Sequence, residues 1–183
     1  MEQLFNQLSE KLINSLNTDE HIKININGEN SQFVRFSQSK VRQSGLVDDA
    51  TLSISLIKDG RTCNGSFTLT GNAESDKNKA IIELARMRDE VVTLPKDPFV
   101  VLPENTGSSR EDHHGSLLSQ ESTISALSPS MQGVDLAGVW ASGRIFTGNA
   151  NSAGQKHWFS TDIFSLDYSL ISPDEKMVKA TYA

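Results

Sequence analysis

The sequence predicts an α+β domain in which antiparallel β meanders, arranged as two similar β units, carry two to three helices on their apolar face. Three observations lead to that expectation. Several runs alternate between apolar and polar residues, as in Ile22, Ile24 and Ile26 against Lys23, Asn25 and Asn27, the period of a strand with one wet face. Short turns rich in Gly, Asn, Asp and Pro join many of the runs, too short for the helix that parallel pairing would need. Two further stretches repeat their apolar residues at a period near 3.6.

Residues 1–17 place Leu4, Phe5, Leu8, Leu12, Ile13 and Leu16 on one helical face, and Asn17-Thr18-Asp19 ends the helix. Residues 21–27 form the first strand, Gly28-Glu29-Asn30-Ser31 reads as a turn, and residues 32–36 and 40–46 read as two more strands across a short polar bend. Asp48-Asp49 marks the next turn. Leu52, Ile54 and Leu56 then alternate with Thr51, Ser53 and Ser55, and Asp59-Gly60 is a hairpin signal leading into a return strand at 62–69. Ser75 is offered as the N-cap of a second helix carrying Ile81, Leu84, Ala85, Arg88 and Val91.

Residues 95–115 hold three of the five prolines and read as an exposed linker, the best internal boundary. The chain is therefore expected to divide into a first β unit with its helices at 1–95 and a second β unit at 116–183. Residues 116–131 are weakly helical up to Pro129. Strands follow at 136–147 and 158–170, where Phe164, Leu166 and Tyr168 should be buried and Ser165 and Asp167 wet. Ser172-Pro173-Asp174-Glu175 turns the chain into a last strand at 177–182. A sequence that stops on a strand leads us to expect that the protein continues.

A chain of 183 residues with 37% hydrophobic and 22% charged content suits one good core or two small subdomains. Its net charge of −6 argues against nucleic acid, which needs a concentrated basic surface. No apolar run approaches the ~20 residues of a membrane span and no leader-like segment opens the chain, so a cytoplasmic address is expected. The single cysteine, Cys63, sits on an alternating strand, where a small buried thiol is the expected role.

The chemistry-bearing residues yield no catalytic set. His21, His113, His114 and His157 lack the following Glu of a zinc-peptidase helix, and the adjacent imidazoles of His113 and His114 diverge in an extended loop. No metal ligand and no catalytic residue is assigned. Arg35, Arg42 and Arg61 could line a sheet face and contact a carboxylate or phosphate ligand, although surface arginines packing their stems are the plainer reading. Asn151, Ser152 and Gly154 have the short polar side chains and conformational freedom of a structural bend.

Two stretches carry a family resemblance: Phe33-Val34-Arg35-Phe36-Ser37-Gln38-Ser39-Lys40-Val41-Arg42-Gln43-Ser44-Gly45, and the segment from Asp135-Leu136-Ala137-Gly138-Val139-Trp140 to Asn151-Ser152-Ala153-Gly154-Gln155-Lys156. With Asp97-Pro98 after the second helix, they resemble the N-terminal α+β domain of the TldD/PmbA family, named for modulation of DNA gyrase and related to peptide-maturation metallopeptidases. The resemblance runs from the first helix to Ala183. It implies a larger C-terminal domain beyond this chain, where TldD-type subunits carry a His-Glu-x-x-x-His zinc motif and PmbA-type (TldE) partners lack a working one. It also implies pairing with a homologous subunit, as homodimer or heterodimer, around a chamber that cleaves unfolded peptides. No family metal ligand falls on this sequence, so zinc is expected only in a partner subunit or the C-terminal domain, and this chain should be inactive alone. The short turns resemble the PmbA type more. The competing expectation is a stand-alone module whose strand edges capture an extended peptide.

Overall fold

The computed structural model describes residues 1–174 and 176–183, with nothing stated of the Gln120 side chain. Glu175, the last residue of the expected charged turn, lies outside the described residues. The element order is α1 (Glu2–Ile13), β1 (Glu20–Ser37), β2 (Lys40–Lys58), β3 (Arg61–Thr68), α2 (Ala73–Val91), β4 (Ser108–His113), α3 (Gln120–Leu127), β5 (Asp135–Asn151), β6 (Lys156–Ile171) and β7 (Met177–Tyr182). The sheet is mostly antiparallel and runs β3-β2-β1-β5-β6-β4, with β7 paired to β6. An α+β class is therefore observed. The β2/β3 and β6/β7 pairs are antiparallel across the Asp59-Gly60 and Pro173-Asp174 turns, as their shortness requires.

Four expected boundaries are corrected. Neither Gly28-Glu29-Asn30-Ser31 nor Asp48-Asp49 is a turn, because β1 and β2 run straight through them. Gly28 is needed for close approach: a Cβ there would stand 2.4 Å from Phe146 Cζ and 2.5 Å from the Asp49 carbonyl oxygen. The second helix is capped by Asn72 rather than Ser75, and its side-chain oxygen accepts from the backbone N–H of Glu74 and Ser75. The stretch 95–115 is not wholly irregular, since β4 lies within it. Hairpin chemistry was more legible: Gln38 and Ser39 (φ 51° and 53°) and Asp59 and Gly60 (φ 48° and 70°) hold the left-handed conformations that a two-residue hairpin demands.

The chain forms two compact units from interleaved segments. Unit 1 comprises Met1–Gly28, Asp49–Asp112 and Phe146–Phe159; unit 2 comprises Glu29–Asp48, His113–Ile145 and Ser160–Ala183. In unit 1, Phe5, Leu8 and Leu12 of α1 and Ala80, Leu84, Met87 and Val91 of α2 join Ile22, Ile24, Ile26, Leu52, Ile54, Leu56, Phe146 and Trp158 in one core. Gly148 admits this packing, since a Cβ would stand 2.9 Å from the Trp158 ring and 3.1 Å from both Ile26 and Phe5. Cys63 is buried in the same core, as expected of a small apolar residue. The buried stripe of α2 runs through Met87 rather than the expected Ala85, which is exposed.

Unit 2 has a smaller core of Val34, Phe36, Met131, Leu136 and Trp140, with Leu127, Leu166 and Tyr168 packed against it. Here the expected burial is corrected. Phe164 is 39% exposed and Leu166 and Tyr168 are only half-buried, because the long helices α1 and α2 belong to unit 1 and α3 of unit 2 has eight residues. Phe164 instead meets Tyr182 with ring centroids 5.7 Å apart.

Candidate functional site

The bend between β5 and β6 is held by its own side chains. The Asn151 N–H donates to the Gln155 carbonyl (3.1 Å), and Asn151 Oδ1 accepts from the N–H groups of Ala153 (2.9 Å) and Gln155 (3.2 Å). The Asn151 amide nitrogen donates to the Glu104 carbonyl at 2.9 Å. Ser152 is stitched to β1 in both directions, its N–H donating to the Ile22 carbonyl (3.0 Å) and its Oγ accepting from the Ile22 N–H (3.1 Å). Gly154 has φ 94°, a conformation in which a side chain would be strained. Asn151, Ser152 and Gly154 thus spend their polar groups on backbone.

The three arginines do not form one group. Arg35 is exposed on β1, and Arg42 on β2 donates to Gln38 Oε1 at 2.7 Å, both in unit 2. Arg61 belongs to unit 1, where its Nε donates to the Leu94 carbonyl (2.8 Å) and its Nη1 meets Asp59 Oδ2 (2.5 Å). Those bonds tie Leu94, just past α2, to the β2/β3 hairpin.

A charged cluster in unit 2 was not anticipated. Arg144 Nε on β5 donates to Asp162 Oδ1 on β6 (2.9 Å), the Gly115 N–H donates to Asp162 Oδ2 (3.1 Å), and His114 contacts Arg144 with its Nδ1 3.7 Å from Asp162. The Arg144 hydrogen bond is the largest influence holding the Asp162 carboxyl below the usual carboxylate range. His157 Nδ1 pairs with Ser109 Oγ at 2.8 Å, joining β6 to β4. Among the described residues no three His, Cys, Asp or Glu side chains stand together as a metal-ligand set. Burial first, and then the neighbouring Glu90, push the Cys63 thiol up, so it stays protonated near neutral pH and is a poor nucleophile. A cleft of about 750 Å³ in unit 2 is lined by Val134, Asp135, Leu170, Ile171, Pro173 and Val178 among others.

No protein-family model matches the sequence, and no curated protein matches it. Solved structures do match, and they place the chain in a known α+β architecture. Over 99% of its length it is similar to the "putative modulator of a DNA gyrase" of Thermotoga maritima (TM-score 0.63, 13% identity) and to that of Bacteroides thetaiotaomicron (0.62, 16%), covering 42% and 44% of those chains. It is also similar over its full length to TldE of Thermococcus kodakarensis (0.57, 14%), covering 42% of that chain. The expected resemblance is therefore found in structure, and at these identities what is shared is the fold. The chain spans less than half the length of each of these proteins.

Among the described residues no helix is long and apolar enough to cross a membrane.

Proposed function

We propose that this chain is the N-terminal, non-catalytic domain of a TldD/PmbA-type, peptidase-related protein, shaping a substrate chamber and pairing with a homologous subunit during proteolysis or maturation of unfolded peptides in the cytoplasm. The observation that carries this reading is the end-to-end structural match to just over two fifths of each larger chain, the share expected of one domain. The bend and Arg61 support a structural role, since Ser152 is bonded to Ile22, Asn151 to the Glu104 carbonyl and Arg61 to the Leu94 carbonyl. Within this reading, β1-β2-β3 and β5-β6-β7 are two like-built meanders, a view supported by the successive pairing of their strands. Any zinc belongs to the partner subunit or to a C-terminal domain.

The test is to mix this protein with a TldD-type subunit bearing His-Glu-x-x-x-His, and separately to examine it alone, by light scattering and by cleavage of an unfolded peptide. Pairing, with cleavage that requires the His-Glu-x-x-x-His subunit, is the expected result. A protein that associates with neither that subunit nor a copy of itself would overturn the reading.

A further inference from the structure

Five of the seven arginines meet a carboxylate: Arg61 meets Asp59, Arg86 meets Glu83 and Glu90, Arg88 meets Glu20, Arg110 meets Glu2, and Arg144 meets Asp162. The two exceptions are Arg35 and Arg42, and the backbone sets them side by side. Strand β1 ends at Ser37 and its neighbour β2 begins at Lys40, with Gln38 and Ser39 in left-handed conformations between them, so the connection is a two-residue hairpin. Counted from that turn, Ser37 faces Lys40, Phe36 faces Val41 and Arg35 faces Arg42.

Alternation decides which face carries the charge. Val34 and Phe36 are buried in the unit 2 core, so Arg35 and Ser37, with Arg42 and Lys40 opposite them, lie on the other face of the sheet. Arg35, Lys40 and Arg42 are all exposed there. Like charges directly opposite in an antiparallel pair destabilise it, their Cβ atoms being about 5 Å apart. Among the described residues no carboxylate relieves this pair: Arg42 donates to Gln38 Oε1, and the side chains of Arg35, Lys40 and Ser37 make no hydrogen bond. Asp135 precedes Leu136, whose N–H and carbonyl bond Ser39 in the turn, yet it pairs with none of the three cations. Three cations against this one carboxylate leave a surplus of two positive charges at the end of the hairpin.

We infer that this face of the hairpin end binds a phosphoryl group, as free phosphate or as a small phosphomonoester, with Arg35, Arg42 and Lys40 as its charge partners and the Ser37 hydroxyl as a further donor. Charge complementarity favours this ligand. A phosphoryl group carries close to two negative charges near neutral pH and enough oxygens to engage both guanidinium forks and the ammonium. A carboxylate has one charge and two oxygens, so it fills one fork and leaves the facing arginine opposed. Protein interfaces are built around an apolar or aromatic centre, whereas the positions gathered here are Arg35, Ser37, Lys40 and Arg42. Nucleic acid needs a run of cations along its backbone, and the net charge of this chain is −6. Phosphate binding requires no protease partner, so it can fail while the subunit reading stands, and the reverse.

The experiment titrates the 183-residue chain with inorganic phosphate, and separately with phenyl phosphate, at constant ionic strength near neutral pH, and reads backbone amide NMR shifts. Saturable shifts centred on Ser37–Arg42 are expected with both. Equal affinities support a site that reads the phosphoryl group alone, and tighter phenyl phosphate supports one that takes an ester. Arg35→Gln and Arg42→Gln should each weaken binding about tenfold, and phenyl phosphate should bind less tightly below about pH 6, where its second proton returns. Both side chains are exposed, so the variants should melt like wild type. Should either fail to fold, acetate makes the test on the unaltered protein, with binding about tenfold weaker than phosphate expected. No saturable binding, acetate as tight as phosphate, affinity unchanged in both variants, shifts confined to other strands, an oligonucleotide that moves these amides where phosphate does not, or self-association through Arg35 in place of phosphate binding would each overturn the proposal.

Discussion

Glu20 shows how a single buried charge can organise a unit. Its side chain is fully buried, yet it accepts from Arg88 Nε and Nη2, from the Asn17 N–H and from Asn17 Nδ2, with Lys58 Nζ at 3.7 Å. Burial alone would push its carboxyl up; the Arg88 and Asn17 hydrogen bonds outweigh that and hold it at about 2. A folded-state value below the unfolded one means the stabilisation is complete above the ordinary value of 4.5 and is lost as pH falls through that range toward 2. Glu20→Gln should therefore lower stability at pH 7 by about 2 kcal/mol, because Arg88 loses its buried partner. Urea unfolding should show that gap narrowing as pH drops from 4.5 toward 2, and a gap independent of pH would refute this account. No local pattern announced Glu20, whose partner Arg88 lies 68 residues away, nor Arg144 and Asp162, which meet only when β5 and β6 pair.

At the scale of elements, what the sequence disclosed depended on whether the deciding interaction was local. The two left-handed hairpin turns and the apolar face of α1 are set by neighbouring residues, and both were readable. Gly28 looked like a turn because glycine punctuates chains, but its reason is the Phe146 ring more than a hundred positions later. Gly28→Ala should therefore cost about 1–3 kcal/mol through displacement of that ring and the Asp49 backbone. A melting temperature equal to wild type would show that Phe146 can swing aside. The bend gives a second prediction. Gly154→Val forces a β-branched side chain into positive φ, and Asn151→Val removes three side-chain bonds to backbone. Each should lower stability by roughly 1 kcal/mol or more by urea titration. Variants that melt like wild type but abolish activity in the assembled complex would make the bend a functional element instead.

For the whole molecule, the prediction concerns what the chain does alone. Peptide hydrolysis by a zinc site needs two or three ligands and a carboxylate converging on one point, with an open position for water. Here two of the four imidazoles are engaged elsewhere in the fold: His114 contacts Arg144 beside Asp162, and His157 pairs with Ser109. Asp162 is likewise engaged by Arg144 and the Gly115 N–H, so an incoming cation would have to displace an arginine already in place. The purified 183-residue chain should accordingly bind no stoichiometric zinc and cleave neither casein nor an unfolded peptide. Metal analysis after dialysis against zinc, run beside the cleavage assay, decides the matter. One equivalent of zinc that disappears in His113→Ala or His114→Ala would mean that these side chains rearrange around a metal, and the proposal that zinc belongs to a partner subunit or a C-terminal domain would have to be abandoned.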